Sequence, residues 1–184
     1  DRVLASIGNG GMAEYAVAAQ HAVMPIPEGM PFEEAAAFLM TYGTSYYALK
    51  DRADPKPGEK LLVLGAAGGV DIIYGGVGGN YAEPSVRAMN WEGRFLVIGF
   101  PAGIPKLPLN LTLLKSCDVR GVFWGAAVAR DPKAHQQNVA ELFKLYGEGK
   151  IRPHISNTYP LEKSADAIQE LMDRKAQGKV VVVI

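Results

Sequence analysis

The sequence contains a single cysteine, Cys117, and no excess of either charge. One thiol cannot form an internal disulfide framework or supply the several cysteines of a structural zinc site. Because 19 Lys and Arg residues balance 19 Asp and Glu residues, composition does not favour a nucleic acid or an anionic membrane as partner. A run of about 20 apolar residues, the length that crosses a bilayer, is also lacking. We therefore expect a cytoplasmic protein that binds neither nucleic acid nor membrane.

What is present is the composition of an ordinary globular protein. The chain has 184 residues, of which 48% are hydrophobic, and it is long enough to bury roughly 70% of its unfolded surface. Apolar runs that predict strands alternate with helical patterns from Lys60 onward, and this alternation is typical of a parallel sheet covered by helices. The clearest helix is predicted over Lys133–Tyr146, where Val139, Leu142, Phe143 and Tyr146 recur at helical spacing.

One stretch, Lys60–Val70, resembles the start of a dinucleotide-binding turn. An apolar strand is followed at once by Gly65-Ala66-Ala67-Gly68-Gly69, and glycine lets a pyrophosphate approach main-chain N–H groups. In such a turn a helix should follow, with its N-terminus facing the phosphates. Here the next residues, Asp71–Tyr74, predict another strand instead.

The connection between these two strands is too short for the usual crossover. Only Gly65–Val70 separate them, whereas a parallel crossover takes a dozen or more residues. We expect that six residues cannot form a parallel crossover. Either the strands are antiparallel, or one strand is wrongly predicted, or residues are missing between Val70 and Asp71. We favour the last explanation, because connections of this kind normally include a helix.

Several motifs, taken in order, carry a family resemblance. They are Gly10–Tyr15, Glu34–Phe38, Thr44–Leu49, Gly65–Val70, Arg94–Phe100, Gly121–Gly125 and Gly178–Val181. Together they resemble the medium-chain dehydrogenase/reductase superfamily, specifically its zinc-free NADPH:quinone oxidoreductase, or ζ-crystallin-like, branch. The resemblance extends from Asp1 to Ile184.

The resemblance implies an α/β fold built on a Rossmann-type, mostly parallel sheet, with a remnant of the β-rich GroES-like catalytic domain. It places residues 1–40 in the catalytic domain and 41–150 in the dinucleotide-binding domain, interrupted between 70 and 71. Residues 151–184 then return to the catalytic domain. Roughly 60 residues of the family pattern, about two βαβ units, are absent after Val70.

The resemblance also implies an activity. Such proteins use NADPH or NADH to reduce a quinone or an enone by hydride transfer, without zinc, as homodimers. We expect the dimer to form through the edge strand Val119–Phe123. Two alternatives remain open: an enoyl-thioester reductase of the same superfamily, and a catalytically silent fragment that serves dimerisation or packing.

The candidate site residues follow from the same resemblance, and no catalytic or metal-binding residue is assigned. The cofactor-binding candidates are Thr44, Gly65, Ala66, Ala67, Gly68, Gly69, Val70, Ile98, Gly99, Phe100, Phe123, Trp124, Gly125 and Lys179. Thr44 stands at the end of a predicted helix interruption, Thr41–Thr44, so a helix N-cap is an equal alternative for it. Core or interface packing is an equal alternative for Phe123–Gly125, and an exposed strand position is the commoner role for a residue like Lys179. The three histidines, His21, His135 and His154, show no ligand spacing.

Overall fold

A computed structural model describes residues 1–63 and 69–184. The chain divides into two compact units. One comprises residues 1–43 and 139–184, and the other comprises residues 44–138.

The elements alternate along the chain as the sequence predicts from Lys60 onward. In order they are β1 Val3–Ala5, β2 Val23–Pro25, α1 Phe32–Tyr46, a π-helical segment Tyr47–Ala53, β3 Leu61–Val63, β4 Val70–Gly75, α2 Ala82–Ala88, β5 Met89–Val97, α3 Asn110–Lys115, β6 Asp118–Gly121, α4 Trp124–Arg130, α5 Pro132–Gly147, β7 Ile155–Pro160, α6 Ser164–Met172 and β8 Lys179–Val183. The helix predicted over Lys133–Tyr146 is α5. Within the described residues, no helix has both the length and the apolar character needed to cross a membrane.

Unit 44–138 is built on a four-stranded sheet in the order β3-β4-β5-β6. All three pairings are parallel. The register runs in step from strand to strand, with Tyr74 opposite Leu96 and Leu96 opposite Arg120. The predicted α/β class with a mostly parallel sheet is therefore confirmed.

Of the three explanations for the short connection, the parallel pairing of β3 with β4 excludes the antiparallel one. Val63 lies opposite Tyr74, so the start of β4 at Val70 is about 13 Å back along the sheet. Seven chain steps lead from Val63 to Val70, and at about 3.3 Å per residue they reach about 23 Å. The chain is therefore long enough to span this distance, and residues 64–68 lie outside its described part.

Helices cover both faces of the sheet at β4 and β5. On one face, α2 and α3 contribute Val86 and Leu111 to a core with Ile73 and Phe95. On the other, the π-helical segment packs Ala48 and Ala53 against Ile72, Leu96 and Val122. Ile72 and Leu96 are almost fully buried because both lie between the sheet and this segment.

Strand β3 has apolar cover on one face alone among the described residues. Leu62 packs against the core beneath α2 and α3. Leu61 and Val63, which point to the other face, are 43% and 56% exposed. Parallel sheets normally bury both faces under helices, so an uncovered apolar patch at β3 is a departure from the usual architecture.

The helix break predicted at Thr41–Thr44 is wrong. Helix α1 runs without interruption from Phe32 to Tyr46, and the chain then widens into the π-helical segment. Gly43 is buried in α1, so burial of this helix face outweighs the low helix propensity of glycine and threonine. Since Thr44 lies inside the helix, the N-cap alternative for it is also wrong.

Unit 1–43 with 139–184 contains two small sheets. Strands β1 and β2 are antiparallel, whereas β7 and β8 are parallel with α6 between them in the chain. Helices α1 and α5 meet in an aromatic cluster, in which Phe38 contacts Phe143 and Tyr146. Burial raises the pKa of the Tyr146 phenol, and the 2.5 Å hydrogen bond that its Oη donates to Glu34 raises this pKa further.

Candidate functional site

The strands β4, β5 and β6 end side by side. Gly75 lies opposite Val97, and Val97 lies opposite Gly121. Because ligands of open parallel sheets bind outside the carboxyl ends of the strands, the residues that follow form a candidate site. We call residues 76–78, 98–100 and 122–125 the carboxyl edge.

Main-chain hydrogen bonds hold the carboxyl edge in place. Ile98 N–H donates to Gly75 O at 3.1 Å, and Val122 N–H donates to Val97 O at 2.9 Å. These bonds extend the strand pairing by one residue beyond the ends of β5 and β6. The starts of the two loops that follow are thereby fixed to the neighbouring strands.

Two glycines bring the loop after β4 against the loop after β5. Gly79 N–H donates to Gly103 O at 2.6 Å, and Ala102 N–H donates to Val77 O at 3.0 Å. Gly78 has φ +73°, and a Cβ at this position would lie 2.6 Å from Gly103 O. Only glycine allows this backbone conformation and approach.

The structure brings six of the predicted residues together at the carboxyl edge: Ile98, Gly99, Phe100, Phe123, Trp124 and Gly125. Phe100 and Phe123 are 45% and 77% exposed. Large apolar side chains left open at the end of a sheet provide surface on which a flat ring could pack.

A hydroxyl pair links α1 to the end of β4. Ser45 Oγ and Tyr74 Oη are 3.0 Å apart, and Thr44 directly precedes Ser45 in α1. Sequence reasoning missed Ser45 and Tyr74. Tyr74 could have been found from its place at the carboxyl end of the predicted strand Asp71–Tyr74.

Gly69, Val70 and Lys179 do not lie at this edge. Gly69 and Val70 lie at the amino end of β4, where Gly69 N–H donates to Ala88 O at 2.9 Å and Val70 is buried. The candidates Gly65, Ala66, Ala67 and Gly68 lie outside the described residues. Lys179 begins β8 in the other unit, where its N–H donates to His154 O at 2.7 Å.

A cavity of about 300 Å³ adjoins the carboxyl edge beside β4 and α2. Its wall is mostly apolar, with Ile73, Phe95 and Ala82 among its residues. The Ser85 hydroxyl in its wall is engaged, since it donates to Tyr81 O at 2.7 Å. This cavity is therefore suited to apolar ligand atoms.

A second cavity, of about 410 Å³, lies between the π-helical segment and helices α4 and α5. His135 packs edge-on against Trp124, with ring centroids 5.6 Å apart, and burial lowers the pKa of this histidine. The buried Asn138 donates to Asp51 at 2.7 Å and accepts from Lys50 at 3.1 Å. These polar groups satisfy one another, as buried side chains should.

No group of three or more His, Cys, Asp or Glu residues that could hold a metal ion occurs in the described ranges 1–63 and 69–184. Cys117 is a free thiol in the core, and its burial raises its pKa.

The family model described as "Zinc-binding dehydrogenase" matches residues 56–182. The quinone oxidoreductase-like protein 2 homolog of Nematostella vectensis is 30% identical over 242 positions, which cover 99% of this chain and 66% of the relative. Human quinone oxidoreductase is 28% identical over 243 positions, which cover all of this chain and 73% of the human protein. A crystal structure of the quinone oxidoreductase of Thermus thermophilus, also solved with NADPH, matches with a TM-score of 0.86 and 27% identity. The match covers 98% of this chain and 76% of the Thermus thermophilus chain.

These alignments contain positions that this chain does not fill. The chain spans about two thirds of the sea-anemone relative, yet the alignment uses 99% of this chain. At least 58 positions, the difference between 242 aligned positions and 184 residues, therefore have no counterpart here. Since nearly the whole chain is aligned, these positions fall inside it.

Proposed function

This chain belongs to the zinc-binding dehydrogenase family and to the quinone oxidoreductase branch of the medium-chain dehydrogenase/reductase superfamily, and on that premise we propose that it reduces a quinone or conjugated carbonyl with NADPH or NADH. The proposal includes independence from zinc, a cytoplasmic location and a homodimeric state. Its main support is the carboxyl edge, where six predicted cofactor-binding residues follow the ends of adjacent strands.

The residues of the carboxyl edge fit a nicotinamide ring. Phe100 and Phe123 offer exposed apolar surface, and main-chain hydrogen bonds hold the loops that carry them. A bound reduced nicotinamide supplies the hydride. The chain's own contribution is then to position the ring and the acceptor and to exclude water from them.

The overall reaction requires few protein groups. A quinone gains a hydride and a proton and leaves as a hydroquinone, while the nicotinamide is oxidised. The proton can come from water, so no acid in the chain is needed for the balance. Thr44, the residue before Ser45 in α1, is the proposed hydrogen-bonding group on the α1 side.

The proposed dimer uses strand β6, which lies at one edge of the sheet as described. Main-chain groups at a sheet edge can bond to the same strand of a second copy, although Gly121 O already accepts a hydrogen bond from Arg52 Nε at 3.1 Å. Gel filtration of the purified chain should give about twice its 19.7 kDa mass. A monomer at all concentrations contradicts this part of the proposal.

The activity is tested by following NADPH and NADH oxidation at 340 nm in the presence of a benzoquinone, with and without a chelator. Phe123→Ala should raise KM for the nicotinamide compound several-fold and leave thermal stability unchanged, because the side chain is exposed. Leu113→Ala, in α3 and 80% exposed, is the matched control and should change neither. Loss of activity with the chelator would contradict zinc independence.

A second candidate is a catalytically silent module, and the at least 58 unmatched positions favour it. A binding measurement distinguishes these two candidate functions. A folded chain, verified by circular dichroism and intact mass, that binds no nicotinamide compound supports the silent module.

A further inference from the structure

We propose that this chain recognises only the nicotinamide mononucleotide portion of its cofactor, so that dihydronicotinamide mononucleotide binds as tightly as NADPH. The inference rests on the proposed function. It comes from a disagreement between the sheet that is present and the sheet that a whole dinucleotide requires.

A complete dinucleotide-binding sheet has the strand order 3-2-1-4-5-6 and consists of two halves that each bind a mononucleotide. Strands 1 to 3 carry the pyrophosphate turn and the acidic residue for the adenosine ribose. Strands 4 to 6 take the other nucleotide. The described sheet has four strands in the order β3-β4-β5-β6, all parallel.

The observed order matches strands 1, 4, 5 and 6 of the complete sheet. Strands 1 and 4 are neighbours there although they are distant in sequence. Here β3 and β4 are neighbours with only residues 64–69 between them. The at least 58 unmatched positions are close to the size of two βαβ units, so they account for strands 2 and 3 and their helices.

The exposed side chains of strand β3 agree with the absence of these two units. Leu61 and Val63 are exposed on the face where the helix after strand 1 would normally pack. Only residues 64–69 separate β3 from β4, whereas a parallel crossover with its helix takes a dozen or more residues. In a complete fold the N-terminus of that helix would hold the pyrophosphate.

The one described glycine of the phosphate turn is also engaged elsewhere. Gly69 N–H is donated to Ala88 O, at the amino end of β4. It is therefore not free to bond to a phosphate at the carboxyl edge. The described sheet therefore lacks the strands that would bind adenosine, and Gly69 N–H is not available to the phosphates.

The nicotinamide side, in contrast, is intact. The carboxyl edge is held by the bonds from Ile98 to Gly75 and from Val122 to Val97. The exposed rings of Phe100 and Phe123 lie on it. Affinity should therefore come from the nicotinamide nucleotide alone, and the 2′-phosphate that distinguishes NADPH from NADH should add nothing.

The test is a fluorescence titration of the full chain with dihydronicotinamide mononucleotide, NADH and NADPH. We expect three dissociation constants within about threefold of one another, a difference that is small on the scale of binding energies. Adenosine 2′,5′-bisphosphate should not displace any of them. Phe123→Ala should weaken all three by the same factor, and Leu113→Ala should weaken none.

Two other outcomes are distinct. If NADPH binds tenfold or more tightly than the mononucleotide, or if the bisphosphate displaces it, this inference is overturned and the proposed function stands. If none of the three reduced compounds binds, the proposed function itself is overturned and the inference with it.

Discussion

Replacing Gly78 with alanine should destabilise the fold at the carboxyl edge. Gly78 has φ +73° and ψ −149°, a combination essentially restricted to glycine that costs a non-glycine residue about 1–3 kcal/mol. The new Cβ would also lie 2.6 Å from Gly103 O. The two loops must separate by about 0.8 Å to reach the 3.4 Å of ordinary contact.

That separation weakens the bond from Gly79 N–H to Gly103 O, worth about 0.5–1.5 kcal/mol. Together the two effects predict a loss of about 1.5–4.5 kcal/mol in the free energy of unfolding. For a chain of this size each kcal/mol lowers Tm by about 2–4 °C, so Tm should fall by about 3–18 °C. Because Phe100 lies in the displaced loop, binding at the edge should weaken as well.

The assay is thermal and urea unfolding followed by circular dichroism, with Gly76→Ala as matched control. A Cβ at Gly76 would meet nothing closer than Tyr74 Cε1 at 3.6 Å, so its effect should stay within about 0.5 kcal/mol. Equal midpoints for the Gly78 and Gly76 variants would refute the reasoning about loop contact.

Two further predictions concern the junction of β3 and β4. Hydrogen bonds from Asn90 and from Lys60 N–H lower the pKa of Asp71 in the folded chain. The Asp71 carboxylate therefore stabilises the fold at pH values above the unfolded-state pKa of about 3.9. This stabilisation is lost as the pH falls through the lower pKa of the folded state. Urea midpoints of Asp71→Asn should therefore fall below those of the wild type near pH 7 and converge with them in acid; a constant difference across the pH range would be contrary evidence. Changing both Leu61 and Val63 to threonine should reduce self-association in light scattering at little cost in stability, because both side chains are exposed. Leu62→Thr, the control in the same strand, should lower stability without that benefit, since Leu62 packs against the core.

The parallel sheet and the long helices could be predicted from sequence because their signals are local. The spacing of Val139, Leu142 and Tyr146 predicts α5 correctly, and all three are buried. The order of several motifs likewise predicts the family, since each motif stays attached to its own strand or turn.

What sequence reasoning missed depends on distant contacts. The parallel pairing of β3 and β4 follows from strand order, which no local pattern reveals. The continuity of α1 through Gly43 and Thr44 depends on the burial of that helix. The Ser45–Tyr74 pair and the bond from Gly69 to Ala88 join residues well separated in the chain.

The short connection between β3 and β4 also has a consequence for how the chain folds. Leu61 pairs with Ile72, only 11 residues later. If the connection held the at least 58 unmatched positions, as inferred above, the separation would be about 69 residues, and closing the longer loop would cost about 1.6 kcal/mol more in chain entropy. This strand pair is therefore a local contact that can form early, and the sheet can grow from it toward β6.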